Sequence, residues 1–279
     1  MTRKTKDFCA YLRFKPHLYM KIIVPIDFSP ISLNAARFAA QMLVGNYGAT
    51  MILYHAYEDE KNANEVKAAL QQLKDQLLDE AIVKIETRSE QSDDVVESLE
   101  RLARHMDAEL VVMAIKQRSK LSAMLQTSNS LKMIERNVCP VLVVPHDAKY
   151  TAIKNVALAS DFQDVEITIP LVPVKKILGI FRPNLHIVNI NSEIYVSLDE
   201  KYLAEREKMK EMFQEFRPEF YFITTYDFHE TLRQFISDKK IDLILTFPRK
   251  HSFINNLIRG NNTKKLVYES AVPVLAAHE

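Results

Sequence analysis

Residues 21–28, Lys21-Ile-Ile-Val-Pro-Ile-Asp27-Phe28, form an apolar run that closes on an Asp-Phe pair. A similar run, Lys154-Asn-Val-Ala-Leu-Ala-Ser-Asp161-Phe162, closes on the same pair 134 residues later. Other stretches recur at nearly this offset. Asp107-Ala-Glu-Leu-Val-Val-Met resembles Ile241-Asp242-Leu-Ile-Leu-Thr, and Cys139-Pro140-Val-Leu-Val-Val resembles Val272-Pro273-Val-Leu-Ala-Ala. Ser119 and Lys132 return as Ser252 and Lys265. A near-constant offset over several motifs, far longer than a solenoid period, reads as two copies of one domain. The seam falls near His146–Thr151, so the copies span 20–146 and 152–279.

Strand-like and helix-like patterns alternate within a copy. Lys21–Ile26 is a buried-strand run, Ser29-Pro30 reads as a helix N-cap and first residue, and that helix ends near Gly45–Gly48. Thr50–Tyr57 and Ile82–Ile85 read as strands, with Val66, Leu70, Leu73 and Leu77 at helical spacing between them. Val96, Leu99, Ala103 and Met106 mark a further helix, Glu109–Met113 a strand, Asn129–Asn137 a helix and Pro140–Val144 a last strand. Such βαβ alternation predicts a parallel sheet covered on both faces, five strands per copy. In the second copy Pro170 and Pro173 place the first helix start at about those residues. Leu198, Tyr202, Met209, Phe213 and Phe216 make a core stripe, and Asp227 with Glu230 resembles a capping box.

Composition narrows the function. The 279 residues carry 37 Lys+Arg and 36 Asp+Glu, so no basic surplus marks a nucleic-acid binder. There are four glycines, Gly45, Gly48, Gly179 and Gly260, where average usage would give about 20. Backbone approaches phosphate closely where no Cβ intervenes, so neither a P-loop nor a G-x-G-x-x-G fingerprint is present. Two cysteines, Cys9 and Cys139, point to a reducing compartment, and Cys139 reads as a small buried hydrophobe. No apolar run reaches membrane-spanning length, so a cytoplasmic location is expected. Residues 1–19 lack an apolar signal core and read as a disordered extension before a natural start at Met20, or else as a docking arm. The histidines include no H-E-x-x-H, and no G-x-S-x-G occurs, so neither catalytic nor metal residues are expected. His55 and His186 fall in or beside strands, where a structural role is expected.

Val-Pro-Ile-Asp27-Phe-Ser, Leu-Tyr-His55-Ala56, Ala-Glu-Leu-Val-Val-Met and Cys-Pro-Val-Leu-Val-Val-Pro together resemble the universal stress protein family. The resemblance covers 21–145 and, more weakly, 153–279, and makes the chain a tandem member. It implies an adenine nucleotide alpha hydrolase-like, Rossmann-like α/β fold of two five-stranded parallel sheets. It also implies dimerisation through the last strand. Each copy ends in an apolar strand, Val141–Val144 or Val274–Ala277, at a sheet edge. The copies are therefore expected to pack as an intrachain pseudo-dimer, final strands side by side and antiparallel. The whole chain would then be a monomer or a homodimer.

Some members of the family bind ATP through G-x2-G-x9-G-[ST] after strand four. Carried over, the glycine positions fall on Ala114, Gln117 and Thr127, then Ser128, and in the second copy on Phe247, Lys250 and Gly260, then Asn261. One of six glycines survives. The family's Asp after strand one is matched by Asp27 and Asp161. The resemblance thus gives a candidate first pocket of Asp27, Ser29, Ala56, Ala114, Thr127, Ser128 and Asn129, and a second of Asp161, Gly260 and Asn261. Lys116, Arg118 and Lys120 precede one helix start, and Arg249, Lys250 and His251 the other. Ser, Thr and Asn there serve equally as structural caps. The reading is a non-catalytic stress-response or adaptor protein with degenerate nucleotide motifs, an unidentified protein partner and no cofactor. ATP is disfavoured. A stress sensor binding ATP in the first pocket is the alternative.

Overall fold

A computed structural model describes residues 19–115, 128–160, 162–191, 200–224, 228–247 and 270–277. In the first half the described elements run β1 (Met20–Pro25), α1 (Pro30–Met42), β2 (Ala49–Tyr57), α2 (Ala63–Glu80), β3 (Lys84–Gln91), α3 (Val95–Met106), β4 (Leu110–Ile115), α4 (Asn129–Arg136) and β5 (Val141–Pro145). The second half has β6 (Asn155–Ala159), α5 (Val165–Thr168), α6 (Leu171–Phe181), β7 (Asn184–Asn191), α7 (Glu200–Met212), β8 (Glu219–Thr224), α8 (Phe228–Asp238), β9 (Leu243–Thr246) and β10 (Val274–Ala276).

The strands form one sheet in the order β3-β2-β1-β4-β5-β10-β9-β6-β7-β8. The two halves have mirrored strand orders and every pairing is parallel except β5 with β10. The two sheets expected separately are therefore one sheet of ten strands, because the final strands hydrogen-bond across the seam. Val143 faces Val274, Leu142 faces Leu275 and Val141 faces Ala276. Leu142 and Leu275 occupy the same place in their halves, so a pseudo-twofold axis passes between them. Both strands are buried, as apolar edges require. Lys176 of α6 adds a 2.6 Å ion pair to Glu109 of the first half. The connecting segment packs on α1, where Asn34 donates to the Ala148 carbonyl (2.9 Å) and Tyr150 meets Phe38 edge-on.

Local sequence explains most elements. Ser29 caps α1 by accepting from the Ser32 N–H, with Pro30 as the first helical residue. Val66, Leu70, Leu73 and Leu77 are the buried stripe of α2. An acidic side chain pins the start of β1 and of β6 to the strand beside it. Glu109 accepts from the Lys21 N–H (2.6 Å), and Asp242 from those of Lys154 and Asn155 (2.8 and 2.9 Å).

Three readings change. The third strand starts at Lys84, and Ile82 lies outside it, 81% exposed. As an outer edge, β3 is written in charged residues and lacks the apolar alternation that marks half-buried strands. The second half's first long helix, α6, does start where the prolines place it, at Leu171, with Pro173 in its first turn, where an N–H would be unpaired anyway; what changes is the loop before it, which holds the single turn α5. Phe213 and Phe216 lie beyond the end of α7, although both remain in the core with Met209. Leu198 and Asp227 lie outside the described residues.

Candidate functional site

In the first half the chain builds β1, β2 and β3 outward in one direction, then returns to lay β4 on the other side of β1. The carboxyl ends of β1 and β4 diverge at this reversal, which is where open α/β sheets form their crevices. A cleft of about 740 Å³ lies here. Asp27, Ala56, Ala114, Ser128 and Asn129 line it together with Tyr54, His55 and Lys132. Ser29 stands behind Asp27, and Thr127 lies outside the described residues. Asp161, Gly260, Asn261 and the basic residues at 116–120 and 249–251 also lie outside them.

One wall is acidic. The Asp27 carboxylate accepts from the Ser29 N–H (3.0 Å) and hydroxyl, while the Asp27 N–H donates to the Ser32 hydroxyl (3.3 Å). Burial alone would raise the Asp27 pKa, but hydrogen bonds from Ser29 and Ser32 outweigh it and hold the carboxyl below its ordinary range. Asp27 is therefore an anion at neutral pH. Phe28 beside it has φ of 59°, an uncommon left-handed backbone for an aromatic residue, and its ring packs on His55. His55 Nδ1 lies 2.6 Å from the Ile26 carbonyl oxygen. A carbonyl can only accept, so Nδ1 carries a proton and donates to Ile26.

The facing wall is the start of α4. Ser128 caps it by accepting from the Leu131 N–H (3.3 Å), and the buried Ser130 hydroxyl donates to the Ala114 carbonyl (2.8 Å). Both hydroxyls are engaged by the protein itself, Ser128 as the helix cap and Ser130 as a tie from α4 to β4. Tyr54 donates to Glu90 (2.6 Å), which Arg101 also holds (2.9 Å). Ser32, Tyr54 and Lys132 were not among the pocket residues expected from the sequence. The Ser29-x-x-Ser32 spacing, which stacks two hydroxyls on one helical turn, was a signal for the first of them.

The second half repeats the scaffold but fills the region. Asn189 stands where His55 stands, and its amide donates to the Ser160 carbonyl (2.9 Å) just as His55 serves Ile26. Phe162 repeats the left-handed backbone of Phe28 at φ 54°. Its ring, though, is 2% exposed and packs against Tyr202, Phe220 and Phe222. The strand register puts Phe247 in the place of Ala114, and Phe247 is buried in the core.

Two further groups are structural. Burial pushes the Cys139 thiol up to about 12, so thiolate is scarce at neutral pH. His186 occupies the place of Ile52 and is 7% exposed, its Nδ1 3.3 Å from the Tyr221 hydroxyl and its Nε2 buried without a partner among the described residues. Burial lowers its pKa below 6.5, Glu219 opposing and Lys239 reinforcing that shift. The unfolded chain thus binds the proton more readily, and the stability this group contributes is full above pH 6.5 and falls as pH drops through the window below it. His186→Ile, which installs the first half's residue, should flatten this acid dependence and leave stability unchanged or raised at neutral pH. Urea midpoints at about pH 5.5 and about pH 7.5 check it.

Among the described residues no group of His, Cys, Asp and Glu could hold a metal ion, and no helix is long and apolar enough to cross a membrane. A parallel sheet with a crevice at its reversal point, flanked by helices, defines a Rossmann-like α/β protein. Residues 18–145, the first half of the chain, match the universal stress protein family. The fold is similar to a universal stress protein from Archaeoglobus fulgidus DSM 4304, at 15% identity and TM-score 0.68, over 94% of this chain and 98% of that one. A functionally unknown protein from Pseudomonas aeruginosa PAO1 is similar at 12% identity and TM-score 0.63, over 94% and 93%. The cytoplasmic domain of a prokaryotic cation chloride cotransporter is similar at 9% identity and TM-score 0.57, over 93% and 95%. These are likenesses of fold, and they span both halves. No curated protein matches the chain.

Proposed function

We propose that the chain is a tandem universal stress protein acting in the cytoplasm as a non-catalytic stress-response adaptor, with degenerate nucleotide motifs, no nucleotide cofactor and a protein partner. The observation that carries this reading is the pair Ala114 and Phe247. Both put a Cβ or more where the family's ATP-binding members have their first glycine, Ala114 in the cleft wall and Phe247 buried in the core. A side chain at that point keeps the backbone away from phosphate. The second half then serves as a built-in dimerisation partner for the first. Nucleotide released by denaturing freshly purified protein tests the reading. No stoichiometric adenine nucleotide is expected, and one per chain would overturn it.

A second reading is favoured by the cleft itself, whose volume of about 740 Å³ fits a small ligand. In it the first half senses an adenine nucleotide, with Asp27 as the anionic acceptor and Ser29, Ala56, Ala114, Thr127, Ser128 and Asn129 around it. Asp161, Gly260 and Asn261 would form the lesser second pocket. Nucleotide recovered from the wild type but not from Ala114→Phe would favour this sensor over the adaptor.

A further inference from the structure

The ten-stranded sheet has two outer edges, and they are unlike. β3 presents Lys84, Glu86, Arg88 and Glu90, which take part in ion pairs with one another or with Arg101. Alternating charge of this kind keeps an edge from pairing. β8 reads Glu219-Phe-Tyr-Phe-Ile-Thr224 and has one charge, at its start. Among the described residues it pairs with β7 alone. Both of its faces are packed: Phe220 and Phe222 lie against Phe162, and Tyr221 meets Phe235 edge-on. The outer N–H and C=O groups of β8 have no strand partner among the described residues, and Phe222 is 39% exposed.

We propose that β8 is a dimerisation edge that pairs antiparallel with β8 of a second copy of this chain, extending the sheet across a twofold axis at Phe222. Three observations select that occupant. Pairing β8 with the other edge, β3, would set apolar residues against charges and would be head-to-tail, building open filaments, whereas β8 with β8 closes after two copies. Centred on Phe222, the pairing sets Tyr221 opposite Ile223 and Phe220 opposite Thr224. It also holds the two Glu219 carboxylates about 20 Å apart along the strands, beyond the reach of their repulsion in physiological salt. The chain already joins apolar edges in this way, β5 with β10, about an axis at one residue and its equivalent.

Light scattering on the full chain tests the pairing. The expected mass is twice the 32.2 kDa of one chain, and Phe222→Lys should weaken the dimer about tenfold or more with circular dichroism unchanged. A monomer at about 100 µM overturns the proposal, as does a folded Phe222→Lys that stays dimeric. Phe222→Cys keeps the question answerable if the lysine variant fails to fold. Mild oxidation should link it into disulfide dimers while Arg88→Cys on β3 remains unlinked, and failure of Phe222→Cys to link overturns the proposal. If the full chain is monomeric and deletion of residues 1–18 makes it dimeric, the chain's own N-terminal segment covers the edge, and the proposal is again overturned.

Discussion

Val143→Asp should open the seam between the two halves and cost about 3–5 kcal/mol, the scale of an uncompensated buried charge. Val143 is 1% exposed and lies opposite Val274, itself 1% exposed, in the one antiparallel pairing of the sheet. Neither strand leaves room for water around a carboxylate. For a chain of this size the loss lowers the melting temperature by roughly 10 °C. Lys67→Ala, on the exposed face of α2, should stay within about 0.5 kcal/mol. The same logic applies to a fragment of residues 20–146. Freed of β10, its β5 would be a bare apolar edge, and the fragment should dimerise through it in imitation of the whole chain. A stable monomeric fragment in light scattering would contradict the seam as drawn here.

Phe162→Ala should cost about 3–5 kcal/mol, and Phe28→Ala distinctly less. The two residues are equivalent and share a left-handed backbone. Phe162 is fully enclosed by Tyr202, Phe220 and Phe222, so its loss leaves a cavity. Phe28 is half-buried beside Asp27 and packs on His55. Chemical denaturation of the two variants reads the difference directly. Equal losses would mean that the second half is no more filled than the first.

The fold was legible because its inner strands are nearly continuous apolar runs and the repeat offset orders them. Val141–Val144 and Val274–Ala277 even disclosed the seam, since an apolar edge needs a cover. The outer strand β3 was misplaced because an edge is built from the charges that periodicity discards. The site was legible by halves. The positions of Asp27, Ala56, Ala114, Ser128 and Asn129 came from a motif, and the structure gathers them in one cleft. The equivalence of His55 and Asn189 was hidden by a change of residue type that keeps the hydrogen bond. The aromatic packing around Phe162 was hidden for another reason. It joins a loop residue, α7 and β8, and no local pattern shows that these meet in space.

Calorimetric titration of the full chain with MgATP tests the central claim most directly. With Ala114 in the cleft wall and Phe247 buried in the second half, no stoichiometric binding heat is expected. Millimolar MgATP should also leave the melting temperature unchanged, whereas a ligand at 100 times its dissociation constant would add about 2.7 kcal/mol. Micromolar binding at one site per chain would contradict the adaptor reading, and its loss in Ala114→Phe would place the nucleotide in the first-half cleft.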